Sequence, residues 1–162
     1  MNMAGARLDD RGVVMSCTAC GRANRLGFRN LDKEARCGQC KAAVSRVSTP
    51  VDVTDAAAFD AALAQSVLPL VVDFWAPWCG PCRMVAPELE RVARNNAGRW
   101  LVVKINTEAL GDLAGRFNIR SIPTLAVMHH GHEIARAAGA RGAADIERFV
   151  TDSLAAGQRR AS

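Results

Sequence analysis

The spacing Cys-x-x-Cys occurs three times in this chain, as Cys17-Thr-Ala-Cys20, Cys37-Gly-Gln-Cys40 and Cys79-Gly-Pro-Cys82. All six cysteines belong to such pairs, so none is left over. Two thiols at this separation can supply half of a metal shell or close a small disulfide ring, and their context separates the two uses. Any fold the chain adopts must therefore deliver six sulfurs to defined places.

Sixteen residues lie between Cys20 and Cys37, giving C-x2-C-x16-C-x2-C, a spacing that reads as a zinc site. Each knuckle presents two thiolates on one side of a tight loop. Two knuckles complete a tetrahedron of sulfur around Zn(2+), one ion per chain, with Cys17, Cys20, Cys37 and Cys40 as ligands. Gly21 and Gly38 are expected to supply the backbone freedom of the loops. Residues 1–50 show no sustained helical or strand period and few apolar side chains. A bound metal would stabilise what so small a core cannot. Iron, a pair of redox dithiols and unligated surface cysteines are the alternatives.

The third pair has no further pair to join. It follows an apolar run, "PLVVDFWA" over 69–76, and opens an amphipathic segment, "CGPCRMVAPELERVARNN" over 79–96. A strand followed by a helix puts Cys79 at the helix N-terminus, where free N–H groups and the helix dipole favour a thiolate. Pro81 falls in the first turn, where its missing N–H costs little. Cys82, one turn in, is expected to be more buried. Cys79 then attacks and Cys82 resolves, and the spacing lets the two sulfurs close a disulfide.

Beyond residue 50 the segments alternate. A helix is expected over 55–67, strands over 69–76 and 100–106, helices over 79–96, with a kink at Pro87, and over 108–118, a hairpin over 124–138 turning near Gly131, and a helix over 142–157 stopped by Gly157. Met84, Val85, Leu89, Val92 and Ala93 form the apolar face of the second helix. This order predicts an α/β fold with a mostly parallel sheet and an antiparallel edge. At 162 residues with 49% apolar content, the chain has room for one ordinary domain and a small module. The expected division is a zinc-binding four-cysteine module over 1–48 and a catalytic domain over 49–162.

No run of about 18 apolar residues exists, so no membrane span is expected. The N-terminus carries Asp9 and Asp10 and lacks an apolar signal-peptide core, which points to a reducing cytoplasm, where cysteines serve as ligands or catalysts. Residues 1–50 hold nine Lys/Arg against four Asp/Glu, while the remainder is balanced at twelve each. A positive first third could steer acidic substrates. Nucleic acid is not the expected partner, because the arginines are scattered and Phe28 is the lone aromatic before residue 50. His129, His130 and His132 fall at the hairpin tip, where alternate side chains diverge, and are not expected to bind metal.

"VDFWAPWCGPC" together with "KIN" over 104–106 and "SIPT" over 121–124 resembles the thioredoxin family across residues 50–157. The resemblance implies the thioredoxin fold, a central mixed sheet flanked by helices, here preceded by a zinc-ribbon-like module similar to that of the bacterial thioredoxin 2 subtype. It implies reduction of protein disulfides by Cys79 and Cys82, with Asp73 as a buried acid that moves protons at Cys82. Lys104 would lie near that acid. Pro123 would be a cis-proline beside the disulfide, and Trp78, Gly80, Pro81, Ile122 and Gly139 would line the substrate groove. Asp73 lies between Val71, Val72, Phe74 and Trp75, a setting that favours burial and a raised pKa. The reductant implied is an NADPH-dependent thioredoxin reductase, and the protein is expected to act as a monomer. A disulfide oxidant or isomerase is the competing activity; Gly80-Pro81 resembles the reducing members. Pro77 stands where an acid is frequent in the family, tyrosine is absent, and "MHHGHE" replaces an aromatic-containing hairpin.

Overall fold

The computed structural model describes residues 5–161. Its centre is β7 (Leu70–Trp75), a strand covered on both faces. Alternation along it sends Leu70, Val72 and Phe74 one way and Val71 and Asp73 the other. β8 (Leu101–Asn106) lies parallel to β7, pairing Asp73 with Lys104. β9 (Thr124–His129) runs antiparallel on the other side. β10 (His132–Ala138) forms the hairpin with β9. His130 and Gly131, with φ of 52° and 83°, make the two-residue turn whose twist matches a hairpin.

The helices divide between the faces. α1 (Ala56–Gln65) starts at Asp55, whose carboxylate accepts from the Ala58 amide at 2.7 Å. It packs Phe59 and Ala62 against Val72 and Phe74, and the short α3 (Gly111–Arg116) adds Leu113. Phe117 stands edge-on to Phe59 and tilted against Phe74, at centroid distances of 5.7 and 5.9 Å. On the other face α2 (Gly80–Asn95) brings Val85, Leu89 and Val92, and α4 (Ala143–Ala161) brings Ile146 and Val150, onto Val71, Val102 and Val127.

The cysteine-rich segment is more regular than its sequence period suggests. β1 (Arg7–Leu8), β2 (Gly12–Ser16) and β3 (Ala23–Gly27) extend the central sheet through β6 (Val51–Asp52), giving the order β10-β9-β7-β8-β6-β1-β2-β3. β4 (Ala35–Arg36) and β5 (Ala43–Val44) form a separate ribbon. Strands of two to five residues are too short to establish a period in sequence. Their apolar side chains complete a core begun elsewhere: Leu8, Val13, Phe28, Leu31 and Val47 are buried in one cluster with Phe59, Val72 and Val103. Backbone and hydroxyl bonds cross the same seam, from Thr54 Oγ1 to the Leu8 carbonyl at 2.9 Å and from the Val67 amide to the Phe28 carbonyl at 3.1 Å.

Three local expectations change. α4 continues through Gly157 to Ala161, because Gly157 packs closely beside Ile134 of β10 and needs no left-handed backbone. Met84 is 70% exposed, facing away from the core. α3 is shorter than its segment because Glu108–Ala109 are held in a turn by the Asn106 side chain. No helix among the described residues is long and apolar enough to cross a membrane.

The shared core carries a test. Leu8 is fully buried between the two segments, so Leu8→Ala should cost about 2–5 kcal/mol. Thermal unfolding followed by circular dichroism should show one transition shifted down. Loss of structure in the first 50 residues alone would show that the seam carries no stability.

Candidate functional site

Two sulfur sites form at different places. In the first, all four Sγ atoms of Cys17, Cys20, Cys37 and Cys40 lie within 4.8 Å of one another. Cys17 and Cys40 approach to 3.7 Å and Cys20 and Cys37 to 3.6 Å. A tetrahedron with metal–sulfur bonds of about 2.3 Å has edges of about 3.8 Å, so the four donors fit a thiolate-bound divalent metal. Both knuckles have the same backbone pattern. Cys17 N bonds Arg22 O at 2.8 Å and Gly21 N bonds Cys17 O at 2.8 Å; Cys37 N bonds Ala42 O at 2.9 Å and Lys41 N bonds Cys37 O at 3.2 Å. The left-handed positions are Gly21 and Lys41, with φ of 80° and 65°, rather than Gly21 and Gly38. Gly38 instead offers its amide to Asn24 Oδ1 at 3.0 Å. The amides of Cys40 and Gln39, with the Asn24 side chain, hold the Cys37 thiol down to about 6. Cys17 and Cys37 are buried while Cys20 and Cys40 face solvent.

The second site stands where β7 ends. Residues 76–79 turn the chain from strand to helix, and Cys79 becomes the N-cap of α2. Its Sγ accepts from the Cys82 amide at 3.2 Å, so a backbone N–H and the helix dipole both act on this sulfur. Cys79 and Cys82 are joined as a disulfide with a Cα separation of 5.3 Å. Both are 4% exposed, so the expected difference in burial is absent in this oxidised state. The asymmetry lies in hydrogen bonding instead, since the capping bond goes to Cys79. The pair packs with Ala76, Trp75 and Ile122, and Cys79 Sγ lies 3.9 Å from the Ile122 carbonyl.

The other expected site residues surround this pair. The Ile122–Pro123 bond is cis, and the Pro123 carbonyl accepts from the Gly139 amide at 2.9 Å. That bond ties the loop after β10 to the dithiol, and Gly139 adopts φ of 99°, which favours glycine. Trp78 is 68% exposed beside Cys79, and Gly80 and Pro81 are also open to solvent. Asp73 is buried on the face of β7 that α2 covers, and that burial pushes its carboxyl up to about 7, against the pull of Lys104 on the next strand. Lys104 is half-buried with Nζ 4.5 Å from the Trp75 ring centroid. The Trp75 Nε1 is buried without a hydrogen-bond partner among the described residues.

Three further residues, none singled out for the site in the sequence, belong to it. Trp75 supports the floor of the site. Arg83, one turn after Cys79, donates to the Pro77 carbonyl at 2.8 Å. Arg141 lines a small pocket together with Asp73, Val85, Pro123 and Gly139. Spacing from Cys79 could have singled out Arg83; only folding brings Arg141 into the pocket that Asp73 lines. At the hairpin tip the His129 and His130 ring centroids lie 3.7 Å apart with the planes tilted by 36°. Among the described residues the sole metal-competent cluster is the four cysteines.

A strand-turn-helix whose helix opens on a capping cysteine, closed as a disulfide one turn long and backed by a cis-proline loop, defines a protein-disulfide oxidoreductase. The thioredoxin family profile matches residues 50–152. Thioredoxin C-3 of Corynebacterium nephridii is 36% identical over 142 residues, 88% of this chain and 96% of its own length. The roughly 20 residues outside that match are fewer than the 49 that precede residue 50, so it takes in part of the cysteine-rich segment. Thioredoxin 1 of Nostoc sp. is 44% identical over 94 residues, 58% of this chain and 87% of its own. The bifunctional thioredoxin reductase/thioredoxin of Mycobacterium leprae is 40% identical over 102 residues, 63% of this chain and 22% of its own. The chain belongs to the thioredoxin family.

The buried acid makes stability depend on pH. With a folded-state pKa of about 7 against an ordinary 3.8, the folded chain holds this proton more tightly than the unfolded one. The associated stability is present below about pH 4 and is lost as pH rises through about 7, a difference of about 4 kcal/mol. Asp73→Asn should therefore match the parent near pH 4 and exceed it by about 2–4 kcal/mol at pH 8. Denaturant melts at both pH values check this; a gain independent of pH would place the carboxyl's titration elsewhere.

Proposed function

We propose that this chain is a protein-disulfide reductase of the zinc-containing thioredoxin 2 subtype. The observation that carries the reading is the Cys79 sulfur capping α2, hydrogen-bonded by the Cys82 amide and disulfide-bonded to Cys82 itself. In the reduced chain the same N–H and dipole stabilise a Cys79 thiolate. That thiolate attacks one sulfur of a substrate disulfide and expels the other as a thiolate, leaving a mixed disulfide at Cys79. Cys82 then loses its proton to Asp73, attacks Cys79 Sγ and releases the second substrate sulfur. The substrate gains two electrons, its sulfurs take up two protons, and the Cys79–Cys82 bond closes. A carboxyl near pKa 7 is matched to taking and returning a proton at neutral pH. Lys104 tunes that carboxyl. Trp78, Gly80, Pro81, Ile122 and Gly139 bound the groove, and Pro123 holds it against the sulfur.

An NADPH-dependent thioredoxin reductase would return the dithiol, acting on a monomer in the cytoplasm. The division of labour falls near residues 48 and 49. Residues 1–48 hold one Zn(2+) through Cys17, Cys20, Cys37 and Cys40, and residues 49–162 carry the redox chemistry. The metal, when bound, locks two loops that have little core of their own.

Two measurements test the reading. Cys82→Ser should accumulate mixed disulfides with protein substrates, while Cys79→Ser should not. Equal trapping by both would reverse or abolish the assigned roles. The native reduced protein should contain about one zinc per chain and two readily titrated thiols. Six free thiols without metal would remove the zinc subtype and leave the dithiol chemistry standing.

A further inference from the structure

By sequence count, residues beyond 50 carry no net charge, and the positive excess lies in the first third. The surface around the dithiol is charged nonetheless. Three exposed arginines stand one or two residues from separate segments that frame it. Arg83 extends from the first turn of α2 and is held over the loop entering Cys79 by its 2.8 Å bond to the Pro77 carbonyl. Arg120 is exposed two residues before Ile122. Arg141 is exposed two residues after Gly139 and lines the pocket shared with Pro123 and Asp73. No carboxylate pairs with any of the three among the described residues.

Their neutral contacts leave the charge in place. Pro77 contributes only a carbonyl, and Arg141 lies 5.8 Å from the Phe149 ring. Two acids on the flanking helices, Glu88 and Asp145, are engaged elsewhere. Glu88 accepts from the Ala143 amide at 3.1 Å and pairs with Arg91, and Asp145 pairs with Arg148. Asp73 is buried beneath the groove, and its pKa near 7 leaves it only partly charged at neutral pH. Half-buried Lys104 adds a further cation beside it.

In the first 50 residues, by contrast, two cations face carboxylates: Arg25 pairs with Asp9 at 2.6 Å and Arg11 with Asp10 at 4.0 Å. Four thiolates around a divalent metal add negative charge there as well.

We infer that Arg83, Arg120 and Arg141 form a cationic rim that selects disulfides flanked by acidic residues, so that the preferred substrate is an acidic protein segment. The inference rests on the disulfide-reductase reading and names the substrate class of the same site. The redox step is unchanged: the protein dithiol is oxidised to the Cys79–Cys82 disulfide, and the peptide disulfide is reduced to two thiols. The arginines act on encounter and docking, where complementary charge raises association rates and salt screens the gain.

The experiment uses the full-length, pre-reduced protein and three synthetic peptides. They carry the same intrachain disulfide, flanked by Asp, by Ala or by Lys. Second-order rate constants are read across salt concentrations. The wild type should reduce the Asp peptide about tenfold faster than the Lys peptide at low salt, with the ratio falling toward about twofold near 0.5 M. Replacing each arginine singly by Gln should lower the ratio about twofold, within the scale of one exposed charge pair. Arg141→Lys should keep it and Arg141→Glu should invert it at that position. A wild-type ratio near one overturns the inference, as does a ratio unchanged in the triple Gln variant, which would assign the preference to the first 50 residues. The Ala peptide reports on the dithiol alone. Turnover of all three peptides without discrimination removes the arginine rim only, whereas no turnover of any peptide removes the reductase reading and the rim with it.

Discussion

The double-sided burial of β7 is the constraint on which the rest of the molecule depends. Its odd and even residues must satisfy two different cores, which fixes its register against β8 and β9. A slip by one residue would send Asp73 into the apolar layer of Phe59 and Leu113 and expel Phe74 from it. With the register held, the strand ends at Trp75, Ala76 packs beneath the sulfurs, and Cys79 arrives where α2 must begin. The same register sets Lys104 beside Asp73. A structural demand for packing thus positions the acid, the lysine and the nucleophile together.

Sulfur is used in two ways because two backbone settings act on it differently. In the knuckles, each pair of thiols bends around a tight loop toward a second pair, and amide hydrogen bonds to Cys37 favour its thiolate form. Four such donors at tetrahedral spacing are suited to holding a cation, which withdraws their electrons from exchange chemistry. At α2 only two sulfurs meet, and the nearest positive influence is a helix terminus. A partial charge lowers the cost of a thiolate without tying up its lone pairs, so the sulfur remains a nucleophile. The first knuckle nevertheless extends from the sheet that carries the dithiol, because β1, β2 and β3 join that sheet through β6 and share its core, while the second knuckle lies on the separate β4–β5 ribbon.

Charge around the dithiol illustrates why a total is a poor guide to a field. A balanced count conceals acids that are buried, engaged by helix N-termini or paired along a helix, while three arginines near the groove stay open. What a substrate meets depends on which charges remain unsatisfied at the surface it touches.

The sequence by itself determined the chemistry and most of the architecture. Six cysteines in three equal pairs, one of them between an apolar run and an amphipathic helix, separated a metal-type site from a redox site. Alternating segments beyond residue 50 specified strands, helices and the β9–β10 hairpin, because burial on one face or two leaves a period over six or more residues. The resemblance singled out Asp73, and its apolar neighbours pointed to burial. Tertiary structure decided what no local period encodes. Short strands such as Arg7–Leu8 and Val51–Asp52 become strands by pairing with distant partners. Gly157 stays helical because α4 lies against β10, and Lys41 rather than Gly38 adopts the left-handed turn because both knuckles repeat one hydrogen-bond pattern. Arg141 and Asp73, 68 residues apart in sequence, line one pocket in the fold where the Gly139 amide binds the Pro123 carbonyl. Periodicity reports which residues leave water, but the choice of neighbour is made by long-range packing, and that choice exists only in the folded chain.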